Sequence, residues 1–155
     1  MAGGPPLYGA GDDVFERVRT MMQWTPQGRA LGLELVRIDS GKVVGRIPYR
    51  AQLAGDPETG IFAGGVITTL LDQVSGMAAV VAMREPAVVA TIDLRIDYMR
   101  PAAAHCYKIG KNVAFVRAIA FEDAPDNAIA HAASAFMVNS NAGRRIGANL
   151  GGNKP

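Results

Sequence analysis

The sequence predicts an α+β fold in which one curved antiparallel sheet wraps a single long helix. Three observations predict it. A stretch near the middle of the chain has broad apolar periodicity at helical spacing. Short alternating stretches flank it on both sides. The order along the chain is a short helix, two strands, the long helix, then four strands in antiparallel succession.

The long helix comes from the stretch that begins at Gly60 and runs to Met83, about five turns led in by the pair Gly64-Gly65. Ile67, Leu70, Leu71, Val74, Met77, Ala78 and Val81 recur at i, i+3 and i+4 and form a broad apolar face. Gly65, Thr68, Thr69, Asp72, Gly76 and Ala79 fall on the other side and are small or polar. Asp72 is the only charged residue between Gly60 and Met83. A lone carboxylate two turns into such a helix is a place for chemistry. A sheet covers only one side of its helix, so the side bearing Thr68, Asp72 and Gly76 is expected to face a second subunit.

The remaining elements follow in order. Residues 1–11 are rich in Gly and Pro and are expected to be disordered. Asp12-Asp13 leads a short amphipathic helix with Val14, Phe15, Val18, Met21 and Met22 on its apolar side, ended by Pro26. Leu31 to Ile38 alternates, then shifts phase at Val36, as in a bulged strand. Asp39-Ser40-Gly41-Lys42 is a turn into a second strand, Val43 to Tyr49, and Arg50 to Thr59 is a loop.

After Arg84-Glu85-Pro86, residues Ala90, Ile92, Leu94, Ile96 and Tyr98 alternate with Thr91, Asp93, Arg95 and Asp97. Arg100-Pro101 closes that strand. His105 to Ile109 is a short strand, and Gly110-Lys111-Asn112 a turn. Val113 to Phe121 is nearly all apolar and is expected to be buried on both faces. A loop at 122–127 precedes the last strand, Ala128 to Val138. The domain is expected to span 12–139, with 140–155 a mobile tail.

Composition narrows the function classes. Sixteen Lys+Arg against 14 Asp+Glu is too even for an electrostatic nucleic-acid binder. One cysteine, Cys106, rules out an intramolecular disulfide and suits a reducing, cytoplasmic compartment. The first six residues carry neither the basic start nor the apolar core of a signal peptide. Residues 61–83 are long enough to span a bilayer, but Asp72 near its centre would cost about 2.5–3.5 kcal/mol. The flanking strands also need a central helix, so no membrane insertion is expected.

Three motifs resemble the hotdog-fold acyl-CoA thioesterases of the phenylacetic-acid-degradation type. They are Gly60-Ile61-Phe62-Ala63-Gly64-Gly65 with Asp72 following, Thr91 to Pro101 (TIDLRIDYMRP), and Asn112-Val113-Ala114-Phe115-Val116. The resemblance runs roughly from residue 27 to 138. It implies a hotdog fold and hydrolysis of an acyl-CoA thioester. Asp72 would serve as general base or nucleophile, and the Gly65 N–H would bind the thioester carbonyl. Ala63, Gly64, Thr68, Thr69 and Thr91 would line the substrate. The site would be shared across a homodimer, or a dimer of dimers, with Asp72 of one subunit facing Gly65 of the other. CoA enters only as part of the substrate, and no metal or other cofactor is implied.

The chain departs from that pattern at three places. Ala63 stands where a His is usual, Asp56-Pro57 where an Asn is frequent, and the segment between Pro101 and Asn112 is short. An Asp56 carboxylate close to Asp72 would repel its ionised form. These departures keep two other readings in view, an acyl-CoA-binding module without turnover and a structural dimerisation domain. A hotdog dehydratase or isomerase would need a His–Asp/Glu pair around the helix, and none is visible.

Blander readings of the same residues stand beside these. Asp72 is otherwise a buried carboxylate that caps or pairs across a dimer, and the glycines simply admit the chain to the helix. Thr68 and Thr69 otherwise bond back to their own helix. Thr91 is otherwise an ordinary strand residue. His105, His131 and Cys106 read as structural, with no acid or metal-ligand spacing nearby. Arg84, Arg100, Lys108, Lys111 and Arg117 could include contacts to CoA phosphates, and each is otherwise a solvated charge.

Overall fold

A computed structural model describes residues 12–39, 41–83, 87–98, 102–109, 112–121 and 128–139. Helix α1 (Asp12–Trp24) is followed by α2 (Pro26–Leu31), β1 (Glu34–Asp39) and β2 (Lys42–Arg46). A 3-10 turn (Ala51–Leu53) and the short strands β3 (Ala54–Asp56) and β4 (Ile61–Phe62) lead to α3 (Gly64–Val81). Then come β5 (Val88–Tyr98), β6 (Ala102–Ile109), β7 (Val113–Phe121) and β8 (Ala128–Asn139). The expectations for residues 1–11, 84–86, 100–101, 122–127 and 140–155, and for Ser40, Gly110 and Lys111, lie outside the described residues.

Six strands form one antiparallel sheet in the order β1-β2-β6-β7-β8-β5. Helix α3 packs across it and touches β2, β5, β6, β7 and β8. The last four strands therefore do not pair in succession, as the sequence suggests. β5 takes the edge beside β8, and β6 returns to pair with β2 and β7. This order lets five strands share one apolar helix. The short segment before Asn112 still closes the sheet, through Val43↔Ala104 on one side and Ala102↔Ala120 to Ile109↔Ala114 on the other.

Alanines make the close approach of α3 possible. Ala114, Ala118, Ala120, Ala130 and Ala132 are buried on β7 and β8, with Val116 and Phe136 filling the space between. Leu71 and Val74 complete the layer from the helix, each side chain contributing about 1.5–3 kcal/mol by leaving water. β7 is buried on this face only; Phe115 and Ile119 are half-buried on the outer face and Arg117 is exposed, because no described element covers that side.

Burial on α3 is wider than its periodicity suggests. Gly76 and Ala79 belong to the packed side, with Phe136 and Val89 about 3.6–3.7 Å from where a Gly76 side chain would begin. Gly64, Gly65, Thr68, Thr69 and Asp72 remain at least partly open. The helix has the length and hydropathy of a membrane span, but 61% of it is buried inside the fold.

Two strand irregularities matter. The phase shift at Val36 is a bulge between Leu35 and Arg37, as the sequence predicts. A second bulge, between Thr91 and Asp93, breaks the alternation predicted for β5. Ile92 is pushed outward and is 58% exposed. Before the bulge Val89 and Thr91 face the helix; after it Leu94, Ile96 and Tyr98 do.

The helix after Thr25 is also absent from the sequence expectation. Pro26 opens α2 rather than merely ending α1. Thr25 caps it by accepting a hydrogen bond from the Gly28 N–H, and proline fits the first turn, where no N–H is needed.

Two hydroxyls in the core, Ser75 Oγ and Ser134 Oγ, have no hydrogen-bond partner among the described residues. A buried unpaired hydroxyl costs free energy that an alanine does not. Ser134→Ala is therefore expected to stabilise the fold by about 1 kcal/mol, read as a rise of about 2–4 °C in melting temperature. An unchanged or lower melting temperature contradicts this account.

Candidate active site

The loop before α3 is held by its backbone. The Asp56 carboxylate accepts from the Thr59 hydroxyl at 2.6 Å and the Glu58 N–H at 3.0 Å. Those bonds, the Thr59 hydroxyl first, hold its carboxyl below the usual carboxylate range. Gly60 then turns the chain with φ of 72°, a conformation that favours glycine. β3 and β4 pair behind the turn, and the Ala63 N–H donates to the Leu53 carbonyl at 2.9 Å. Gly55 lies so close to Ala63 that a side chain there would sit 2.8 Å from its Cα.

Ala63 is the N-cap of α3 and supplies no side-chain cap. The first N–H groups of a helix have no partner within it. That of Val66 reaches the Ala63 carbonyl at 2.9 Å, which leaves those of Gly64 and Gly65. Both glycines are exposed, and a side chain built on Gly65 meets nothing within 4 Å. Two N–H donors at a positive helix end, with open space around Gly65, suit an anionic oxygen.

Two turns along, Asp72 is half-buried, and its Oδ1 accepts from the Thr91 hydroxyl at 2.7 Å. The structure thus brings Asp72 and Thr91 together. Thr68 and Thr69 do bond back to the helix, to the Gly64 carbonyl at 3.0 Å and the Gly65 carbonyl at 2.9 Å. Each has a second contact. Thr68 Oγ1 lies 2.8 Å from the Tyr98 hydroxyl, and Thr69 Oγ1 accepts from Gln27 Nε2 at 3.3 Å.

Tyr98 and Gln27 are the residues that sequence reasoning missed. Tyr98 reads as one more apolar position of an alternating strand, and nothing local announces its hydroxyl contact. Gln27 sits on the unpredicted α2, for which Thr25-Pro26 was an available signal.

His131 lies elsewhere. It is exposed on the outer sheet face, opposite Asp97 in register, an acid that linear spacing does not reveal. With Arg117 and Ile119 these two line an open depression of about 290 Å³. The side chains of His105 and Cys106 lie outside the described residues.

This geometry can be set beside known proteins. The sequence profile described as the thioesterase superfamily matches residues 59–129, from the turn before β4 into β8. The medium/long-chain acyl-CoA thioesterase YigI of Salmonella typhimurium is 30% identical over 135 residues, covering 73% of this chain and 85% of YigI. This chain belongs to the thioesterase superfamily. A Halobacterium salinarum protein is 40% identical over 75 residues, 46% of this chain, and the match spans half of that relative's length. A crystal structure of a Pseudomonas aeruginosa protein aligns with a TM-score of 0.71 at 37% identity, over 80% of this chain and 98% of the other.

Superfamily membership fits the architecture: the hotdog arrangement of one antiparallel sheet around a central helix is the one described above. It also gives the departures their setting. Where this superfamily chain carries Ala63, the Leu53 carbonyl and the close contact with Gly55 brace the loop without a side chain. Where it carries Asp56, the carboxylate is engaged within its own turn.

Proposed function

We propose that this thioesterase-superfamily chain is a soluble, cytoplasmic hydrolase that cleaves an acyl-CoA thioester to free acid and CoA. The observation that carries the reading is the pairing on one helix of a half-buried carboxylate, held by Thr91, with two N–H donors at the helix start that have no partner within the helix. Asp72 activates water or attacks the thioester carbonyl carbon. The Gly65 N–H binds the developing oxyanion, with Gly64 beside it. A carbonyl bond made only as charge develops accelerates the chemical step rather than ground-state binding. Thr68 and Thr69 border the acyl group. The reaction needs no metal or redox group, and CoA takes part as substrate. YigI, which acts on medium- and long-chain acyl-CoA, makes those chains the first substrates to try.

The proposed site is shared between two copies. Gly65 and Asp72 are seven residues apart on one helix, roughly 10 Å along its axis at 1.5 Å per residue. That separation favours a carbonyl held between one copy's Gly65 and a second copy's Asp72. The edge of β5 supports a homodimer: among the described residues this 11-residue strand pairs only with β8, and Ile92 and Tyr98 are exposed on it. A tetramer in sizing would mean that two such dimers join.

CoA release measured with a thiol reagent, across short, medium, long and aromatic acyl-CoAs, tests the activity. Light scattering at micromolar concentration tests the shared site. A folded protein without turnover that is still stabilised by acyl-CoA would be a binding module; a monomer would end the shared-site reading.

Gly65→Ala separates the two roles of that glycine. Open space around it lets the variant fold with an unchanged melting temperature. Its methyl group would obstruct the close approach of the carbonyl, so kcat/KM is expected to fall roughly 100-fold, in the range seen when an oxyanion donor is lost. Wild-type kcat/KM would remove Gly65 from the site.

A further inference from the structure

The hydroxyl of Tyr98 meets two atoms of the first turn of α3. It is placed to donate to the Gly64 carbonyl at 3.1 Å and lies 2.8 Å from Thr68 Oγ1, which itself reaches the same carbonyl at 3.0 Å. The two hydroxyls share two protons among these three contacts, and the helical pattern directs the Thr68 N–H to the same oxygen. The hydroxyl pair therefore adds at least one donor to that carbonyl beyond what the helix requires. Tyr98 stands at the far end of β5, 34 residues away in sequence, and is 52% exposed. Burial of its ring within its own chain is therefore a poor reason for its placement.

The Gly64 carbonyl and the Gly65 N–H belong to the same peptide unit. A peptide is planar and trans, so its C=O and N–H point in opposite directions within one rigid plane. Fixing the carbonyl oxygen from behind fixes the direction of the N–H in front. Glycine on both sides of that plane gives the backbone no side-chain restraint of its own, so the plane would otherwise rock at a helix end. Donors to the carbonyl also polarise the amide and make its N–H a stronger donor, the cooperativity of linked hydrogen bonds.

We propose that Tyr98 is a positioning residue, which aims and strengthens the Gly65 N–H toward the substrate oxyanion by holding the Gly64 carbonyl. The inference rests on the reading of Gly65 as the oxyanion donor. It explains why a tyrosine with a half-exposed ring ends the edge strand at this point, and why Thr68 makes a second polar contact beyond its own helix. Tyr98 does not touch the reacting atoms; it acts through one peptide plane.

Tyr98→Phe tests this, because it keeps the ring and removes only the hydroxyl. The Gly65 amide proton, assigned by its loss from the spectrum of ¹⁵N-glycine-labelled Gly65→Ala, is expected to shift upfield in Tyr98→Phe. The other glycine amides and the melting temperature should change little. In steady-state assays kcat is expected to fall roughly tenfold with KM near its wild-type value, the pattern of an interaction made in the transition state. A Gly65 amide that does not move overturns the inference, as does a shifted amide with wild-type kcat. Equal losses in kcat and melting temperature would reduce Tyr98 to a structural role and overturn it too. Failure of the hydrolase reading looks different: wild type itself would release no CoA from any acyl-CoA, while the Gly65 resonance would still report whether Tyr98 holds the peptide.

Discussion

Asp72→Asn is expected to lower kcat by roughly 10²–10⁴-fold, the range attributed to a positioned general base, without unfolding the chain. The two side chains have nearly the same shape, and an amide oxygen can still accept the Thr91 hydroxyl that Asp72 accepts at 2.7 Å. What disappears is the ability to take a proton or to attack a carbonyl. If Asp72 acts chemically and contributes little to ground-state binding, KM moves far less than kcat. The same variant separates the enzymatic reading from the structural one. A carboxylate that only pairs or caps would, once neutralised, change the melting temperature or the oligomeric state while leaving turnover in place. The measurement is CoA release under saturating acyl-CoA, with melting and light scattering on the same preparations. Turnover within a factor of two of wild type would exclude Asp72 as base or nucleophile.

Phe136→Ala carries the largest expected effect on stability. The ring is 2% exposed, faces the side-chain-free surface of Gly76, and sits opposite Thr91 in the β5–β8 register. Removing a buried phenylalanine costs about 3–5 kcal/mol through lost transfer energy and the cavity left behind. At about 2–4 °C per kcal/mol for a chain of this size, the melting temperature should drop by at least about 6 °C. The loss should also reach function. Gly76 is one turn beyond Asp72, and Phe136 supports the helix at the level where Thr91 meets that carboxylate. A cavity there frees α3 to settle toward the sheet and lengthens the Thr91–Asp72 bond. Activity measured well below the melting temperature should therefore fall as well. A drop in melting temperature under about 2 °C would mean that the neighbouring side chains close the space, and that Phe136 does not set the helix height.

The parts of this chain that were legible in its sequence are those governed by local periodicity. Helix α3 announces itself because its apolar residues repeat at helical spacing for five turns, and Asp72 because it is the one charge among them. The bulge in β1 is visible as a break in alternation at Val36. In β5 the same kind of break is hidden. Its sequence alternates without interruption, yet an extra residue at Ile92 changes which residues face the helix. For that reason Thr91 reads from the sequence first as an ordinary strand residue and second as an active-site contact, and only the register brings it to Asp72. Gly76 and Ala79 look like a small-residue face, but tertiary packing takes them into the core. The place of β5 beside β8, and the reach of Tyr98 to Gly64, are pairings between distant segments that no window of sequence contains.

The bulge at Ile92 also sets how this strand tolerates change. Because side-chain direction in a strand has a period of two, one residue more or fewer exchanges its two faces. Ile92 is such an extra residue, and the bulge between Thr91 and Asp93 absorbs the offset it creates. Its own side chain is outside the packed face, so many residue types fit there. Deleting Ile92 alone would make the pairing with β8 continuous and keep both Thr91 and Tyr98 on the helix side. A single-residue deletion between Asp93 and Asp97 would instead keep that phase only if the bulge at position 92 were also lost. The strand thus carries one spare residue, and the bulge is where it is stored.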